Sequence, residues 1–289
     1  NWRISNQSGG KMKKAIYILI SLIFFLYMPA SGEELSEPWW RISESISGDF
    51  FVAIRENGSV TAVGDNKYGQ CNVDDWKNVK KVATGEKHAV GLKKDGTVVA
   101  TGDNSCGQCN TEDWKNIIDV DANENYTVAL RDDGTIVYSG TEKKEIDNWN
   151  NIKSIFATGE IHGITYSGDV VSTLFKNEKF SNLNPRQVMS IDEYIYILTW
   201  EGNVFCKSKE DGSSFWLSQS EVVQMVDDGI FESLKSDGTV ESSFFYQESW
   251  TDIIAITPSF GLKKDGTFIG AEDSKLKDKV ERIWLNELK

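Results

Sequence analysis

Histidine is almost missing from this chain, with two residues, His88 and His162, in 289. That excludes a metal centre built on a histidine run, and neither residue stands beside a serine or cysteine in a nucleophile motif. No glycine-rich phosphate loop is present. The Asp-Gly pairs lack the spaced acidic ligands and distal glutamate of a calcium loop, so they read as turns. Cysteine is scarce too: Cys71, Cys106, Cys109 and Cys206. Cys106-Gly107-Gln108-Cys109 has redox or zinc spacing but no second pair to complete a site. Cys71 and Cys109 hold equivalent places in neighbouring repeats, too far apart to bridge. The thiols read as small buried residues in repeat turns, with a Cys106–Cys109 disulfide left open. Basic charge is also short. Beyond residue 32 there are 27 Lys plus Arg against 44 Asp plus Glu. Such a surface repels nucleic acid and anionic lipid and favours a cationic partner. After residue 32 no stretch keeps a 3.6-residue apolar rhythm, which excludes a helical fold.

A turn that recurs seven times is present instead. Its glycines are Gly58, Gly96, Gly134, Gly168, Gly202, Gly238 and Gly266, separated by 38, 38, 34, 34, 36 and 28 residues. A fixed period in this range marks a repeat architecture. In the second unit an apolar run (Val79 to Ala83) leads to a glycine turn. An alternating run (His88 to Leu92), the turn Asp95-Gly96 and a second apolar run (Val98 to Thr101) follow. Such runs around Asp-Gly predict hairpins with two-residue type I′ turns. Each unit is then three or four short strands.

Tryptophan recurs with the same period at Trp40, Trp76, Trp114, Trp149, Trp216, Trp250 and Trp284, and Phe180 falls near the missing one. A buried Trp removes roughly 150–250 Å² from water, so one per unit reads as a wedge between sheets. An aromatic sugar platform is the alternative use. Seven radial sheets describe an all-β, seven-bladed β-propeller. Trp284 to Leu288 starts an eighth copy, so the last blade is expected to be closed by strands from both termini, with the N-terminal partner near Trp39 to Ser45. An open solenoid would need polar caps that the chain lacks.

Residues 83–100 and the segment Gly102-Asp103-Asn104-Ser105-Cys106-Gly107-Gln108-Cys109 resemble repeats of the regulator-of-chromosome-condensation family. Gly64-Asp65-Asn66-Lys67-Tyr68-Gly69-Gln70-Cys71 repeats the second segment. The resemblance is strong over residues 48–140, degenerate over 150–245 and weak again at Phe260 to Gly270. It implies a seven-bladed propeller, in agreement with the count of turns. The short units look like a bacterial secreted branch that includes a propeller-type β-lactamase inhibitory protein, which implies a scaffold that binds a protein through one face. Nucleotide exchange on a small GTPase, the activity of nuclear members, belongs to the wrong compartment for this chain.

The compartment is read from the N-terminus. Met12-Lys13-Lys14, the apolar run Ala15 to Met28 and the small residues Ala30-Ser31-Gly32 form a secretory signal peptide. Fourteen apolar residues are too few to span a bilayer comfortably. Residues 1–11 read as upstream, non-native sequence, 12–32 as the signal peptide and 33–289 as the propeller, secreted and monomeric.

One constellation carries a functional reading. Six positions before the last apolar residue of the second strand, the repeats place Glu86, Glu124, Glu160, Asp192 and Asp228. Asp49 joins with one deletion, and Thr257-Pro258 breaks the pattern. These positions lie in the connection between first and second strands, and equivalent loops of a propeller emerge on one face. The expected site is an acidic ring with Phe50, Lys87, Asn125, Ile161, Glu193 and Gly229 beside it. It would dock a basic protein without catalysis, metal or cofactor. The other use of such a surface is a carbohydrate-binding or carbohydrate-active propeller, since paired carboxylates far apart in sequence leave no local signature. Exposed tryptophan would favour it.

Overall fold

The computed structural model describes residues 43–44, 50–55, 57–141, 146, 148–176, 178–217, 221–227, 231–242, 250–256, 260–263 and 268–270. The expected signal peptide, Asp49, Asp228, Gly229 and Trp284 lie outside the described residues. Every regular element described is a β-strand. The strands form small antiparallel sheets in chain order, each a simple meander. The first holds β1 (Ser43–Glu44), β2 (Phe50–Ile54) and β3 (Val60–Gly64). The second holds β4 (Val79–Thr84), β5 (His88–Lys93) and β6 (Val98–Gly102). The third holds β7 (Ile117–Asn123), β8 (Tyr126–Arg131) and β9 (Ile136–Gly140). The fourth holds β10 (Ile152–Thr158), β11 (Glu160–Thr165) and β12 (Val170–Ser172). The fifth has four strands: β13 (Pro185–Ile191), β14 (Tyr194–Thr199), β15 (Val204–Ser208) and β16 (Ser214–Leu217). The sixth holds β17 (Val222–Asp227), β18 (Phe231–Lys235) and β19 (Val240–Ser242). The seventh holds β20 (Ile253–Ile256), β21 (Phe260–Lys263) and β22 (Phe268–Gly270).

The first strand of each sheet packs on the first strand of the next, from β1 through β4, β7, β10, β13 and β17 to β20. The apolar core is accordingly divided into layers, each shared by two neighbouring sheets. Leu92 and Val98 of the second sheet meet Ile117 and Val120 of the third. Tyr126 and Val128 of the third meet Ile152 and Ile155 of the fourth. Trp76 and Trp114 lie in such layers, 7 % and 8 % exposed, and a methyl group on Gly91 would strike the Trp76 ring at 2.8 Å. Phe180 is buried with them. Trp216 departs from the wedge reading. The fifth sheet's extra strand, β16, carries it to the outside, 53 % exposed.

The Asp-Gly turns differ from the expected type I′. Gly96 N–H donates to Lys93 C=O (3.1 Å) and Lys93 N–H to Thr97 C=O (2.9 Å). Gly96 has φ 80° and Asp95 no positive φ. This is a three-residue loop, a type I turn closed by a glycine bulge. Asp95 stabilises it by accepting from Thr97 N–H (3.0 Å) and hydroxyl (2.6 Å). Asp133 and Asp237 do the same for Thr135 and Thr239. These bonds, the hydroxyl one first, hold all three carboxyls below the usual carboxylate range.

Polar side chains lace the first strands together. Lys81 on β4 pairs with Asp119 on β7. Asp121 Oδ2 accepts from Ala157 N–H on β10 (2.9 Å). Gln187 on β13 clasps both backbone groups of Met225 (2.8 and 3.1 Å). Gln224 on β17 clasps those of Ile256 (2.7 and 3.1 Å). Each glutamine amide stands in for a neighbouring peptide group, so the backbones of Met225 and Ile256 are satisfied across the seam.

Candidate functional site

The first connections of sheets two to five lie on one rim. Glu86 sits between β4 and β5, Glu124 between β7 and β8, and Asp192 between β13 and β14. Contacts between neighbouring sheets tie them together. Glu86 N–H points to Glu124 C=O at 3.3 Å, and Glu160 N–H donates to Ser190 Oγ at 3.1 Å. The residue after each acid also has a backbone task. Lys87, Asn125 and Glu193 C=O accept the N–H of Asp103, Thr141 and Lys209 after the third strands (2.9, 3.2 and 2.8 Å). Ile161 C=O likewise accepts from Thr173 N–H at 2.9 Å.

The expected ring is corrected at several of its positions. Glu124, Asp192 and Glu193 are exposed, and Glu86, Lys87 and Asn125 are half-buried. Phe50 and Ile161 are fully buried in the layers between sheets and offer nothing to a partner. Glu160 is not a loop residue. The turn from β10 to β11 is Gly159 alone, so Glu160 pairs with Thr158 inside the sheet, and its carboxylate accepts from the Thr173 hydroxyl. Asp49 and Asp228 lie outside the described residues.

Cations temper the rim. Lys87 Nζ pairs with Glu86 at 3.0 Å and Lys209 Nζ with Glu193 at 3.2 Å. The hydrogen bond and charge of Glu86 raise the Lys87 ammonium above its ordinary value. Glu124 and Asp192, held at φ 25° and 51°, remain as outward carboxylates. Two aromatics that the repeat pattern did not single out stand beside Lys87 and Asp192. Tyr68 is 40 % exposed, with Lys67 and Lys87 over its ring at 5.4 and 5.7 Å, and Tyr194 is 38 % exposed.

The two histidines are architectural. His88 Nε2–H donates to Thr127 Oγ1 of the next sheet (2.9 Å), since that hydroxyl already donates to Gln108 C=O (2.8 Å). His162 Nε2–H donates to Ser190 Oγ (3.0 Å), which donates to Thr158 C=O (2.6 Å). Both rings are fully buried, and burial pushes each pKa down to about 4. The Gly-Asp-Asn segments are self-satisfied knots. Asn104 Oδ1 accepts from Cys109 N–H (2.8 Å), Gln108 Oε1 from Cys106 N–H (2.9 Å), and Cys109 Sγ points at Asp103 C=O (3.3 Å). Asn66, Gln70 and Cys71 repeat these bonds. Cys106, Cys109 and Cys206 are free thiols, and burial raises Cys109 to about 11. Among the described residues no cluster of His, Cys, Asp and Glu could hold a metal ion.

Small antiparallel meanders, laced through their first strands and layered by apolar cores, define a propeller-type repeat scaffold. Residues 79–108, which span β4 to β6 and the knot after them, match the sequence model of the Regulator of chromosome condensation (RCC1) repeat. That one unit is therefore similar to an RCC1 repeat. No curated protein matches the chain. Among solved structures, the receptor kinase CR4 ectodomain of Physcomitrella patens is similar with TM-score 0.60 at 13% identity, over 80% of this chain and 72% of that one. Yeast RCC1 (Prp20), solved bound to Kap60, gives 0.56 at 12% identity, over 84% and 82%. Human WBSCR16 gives 0.53 at 14% identity, over 76% and 78%. At these identities the likeness is one of fold.

Proposed function

We propose that the chain is a secreted, non-enzymatic, seven-bladed propeller, closed by its two ends, that docks a protein with a basic patch on the first-connection rim. One observation carries this reading: Glu86 and Glu124 meet through their backbones while Glu124 and Asp192 turn exposed carboxylates outward from equivalent corners of different sheets. Such a rim steers a cationic partner and fixes its register more than it adds raw affinity. Tyr68 and Tyr194 supply the aromatic contact that charge alone lacks, since tyrosine is enriched among energetically dominant interface residues. An extracellular enzyme whose activity is blocked by the docked propeller is the most concrete partner, and the basic, apolar, small-residue order of residues 12–32 supports export. The test is capture from culture supernatant with residues 33–289, followed by affinity measurement on the triple variant Glu86→Lys, Glu124→Lys, Asp192→Lys. Binding is expected to weaken at least tenfold (~1.4 kcal/mol) and to lose its salt dependence. Equal affinity of variant and parent rules the reading out.

A further inference from the structure

The seam between the fourth and fifth sheets is built unlike the others at the Asp-Gly edge, which lies at the strand ends opposite the acidic rim. At the other described turns between second and third strands the glycine binds the next sheet. Gly58, Gly96, Gly134, Gly202 and Gly238 C=O accept the N–H of Val79, Ile117, Ile152, Val222 and Ile253 at 2.9 to 3.1 Å. A methyl group on any of these five would come within 3.0 to 3.4 Å of that sheet's backbone. At the fourth turn the partner position is Pro185, which has no N–H to give. Gly168 keeps φ 84°, yet a methyl group there would touch nothing within 4 Å. The other five glycines are buried and Gly168 is half-buried. The seam is fastened away from the turn, by the Ser190 hydroxyl donating to Thr158 C=O and by the layer in which Leu174, Phe175 and Phe180 meet Val188 and Ile195.

Two large rings flank this gap. Tyr166 and Trp200 hold the same place in adjacent sheets, for their N–H groups donate to Asn151 and Asn184 C=O (3.0 and 3.1 Å). The corresponding residues elsewhere are Lys94, Asp132 and Ser236. Tyr166 is 61 % exposed and Trp200 48 %. The Arg186 guanidinium lies 5.3 Å from the Trp200 ring centroid and steadies it. The polar groups beside the rings are of mixed sign and already engaged. Asn184 Nδ2 donates to Glu201 (2.6 Å), and Ser167 Oγ donates to Asp169 (2.9 Å).

We infer that this gap binds a neutral carbohydrate chain, with one sugar ring stacked on Trp200 and Tyr166 as a second platform one sheet away. Rigid exposed rings meet the C–H face of a pyranose with little loss of side-chain freedom. Paired amide, hydroxyl and carboxylate groups exchange hydrogen bonds with sugar hydroxyls without demanding a net ligand charge. A ligand of one sign would disturb the Asn184–Glu201 and Ser167–Asp169 pairs. A protein hot spot needs surrounding contacts that exclude water, and two turns standing apart do not provide them.

The test is calorimetric titration of residues 33–289 with four neutral hexasaccharides: cellohexaose, hexa-N-acetylchitohexaose, mannohexaose and xylohexaose. Saturable binding to at least one is expected, with Trp200→Ala and Tyr166→Ala each weakening it about tenfold at an unchanged thermal midpoint. The rim variant Glu86→Lys, Glu124→Lys is expected to bind the sugar like the parent, which separates this site from the acidic one. Three results would overturn the inference: no saturable binding to any of the four, binding indifferent to both aromatic substitutions, or loss of a captured protein partner on Trp200→Ala.

Discussion

The turn glycine answers two demands at single-residue scale. It supplies a left-handed φ, which any other residue adopts only at a cost of about 1–2 kcal/mol, and it lets the next sheet approach. Gly134 and Gly168 separate the two. Both have left-handed φ, 78° and 84°, but only Gly134 faces Asn151 backbone at 3.2 Å. Gly168→Ala is expected to cost the conformational share alone, about 1 kcal/mol. Gly134→Ala should cost about 2–3 kcal/mol through the added clash. Urea unfolding midpoints of the two variants give the comparison directly. The histidines make a second prediction at this scale. Burial holds both near a pKa of about 4, against 6.5 in the unfolded chain, while Asp103 beside His88 and Glu160 beside His162 pull weakly the other way. Below pH 6.5 the unfolded chain takes up protons that the folded chain refuses, so stability present above that pH is lost as the pH falls toward 4. The loss is on the order of 3 kcal/mol per histidine. Urea midpoints at pH 7, 5 and 4 should fall steeply, and His88→Gln should flatten the fall.

Among the elements, the laces between first strands are the feature whose removal is most informative. Gln187 and Gln224 satisfy both backbone groups of Met225 and Ile256. Gln187→Leu keeps the bulk and leaves a backbone N–H and C=O without partners, at a cost of about 1–3 kcal/mol. Hydrogen exchange at the Met225 amide should quicken in that variant. These laces were not legible in the sequence, because a lone glutamine at the start of an apolar run carries no local signal. The hairpins were legible, since Asp-Gly between period-2 runs leaves the chain few other options. Their turn type was not. Asp95 and Gly96 look like a two-residue turn, and only the bond from Gly96 N–H to Lys93 C=O shows that Lys94 belongs to the loop. Counting back from the second strand placed Glu86, Glu124 and Asp192 correctly in first connections. It misplaced Glu160, because β10 and β11 are joined by one residue where β7 and β8 are joined by two. Trp216 misled for a similar reason. Its spacing fits the series, but the fifth sheet adds a strand that the period does not announce.

For the whole molecule, stability is distributed over seams. Among the described residues the apolar layers are shared between neighbouring sheets, so no sheet is expected to persist alone. Closure of the two ends would join the first and last sheets and make unfolding all-or-none. Calorimetry of residues 33–289 is then expected to show one transition whose van't Hoff and calorimetric enthalpies agree. Several overlapping transitions would indicate an open array. The net charge of −13 on the full sequence acts at this scale as well. Self-repulsion keeps such a protein dispersed while opposing its compact state, so the thermal midpoint should rise as salt is added.

Pro185 gives the molecule one more property. Where the other five described glycine tips between second and third strands are clamped by a hydrogen bond to the sheet that follows, the tip at Ser167-Gly168 lacks that clamp. A foreign domain spliced between these two residues would project outward without prising neighbouring units apart. That makes this corner the natural graft point for a reporter or an affinity handle.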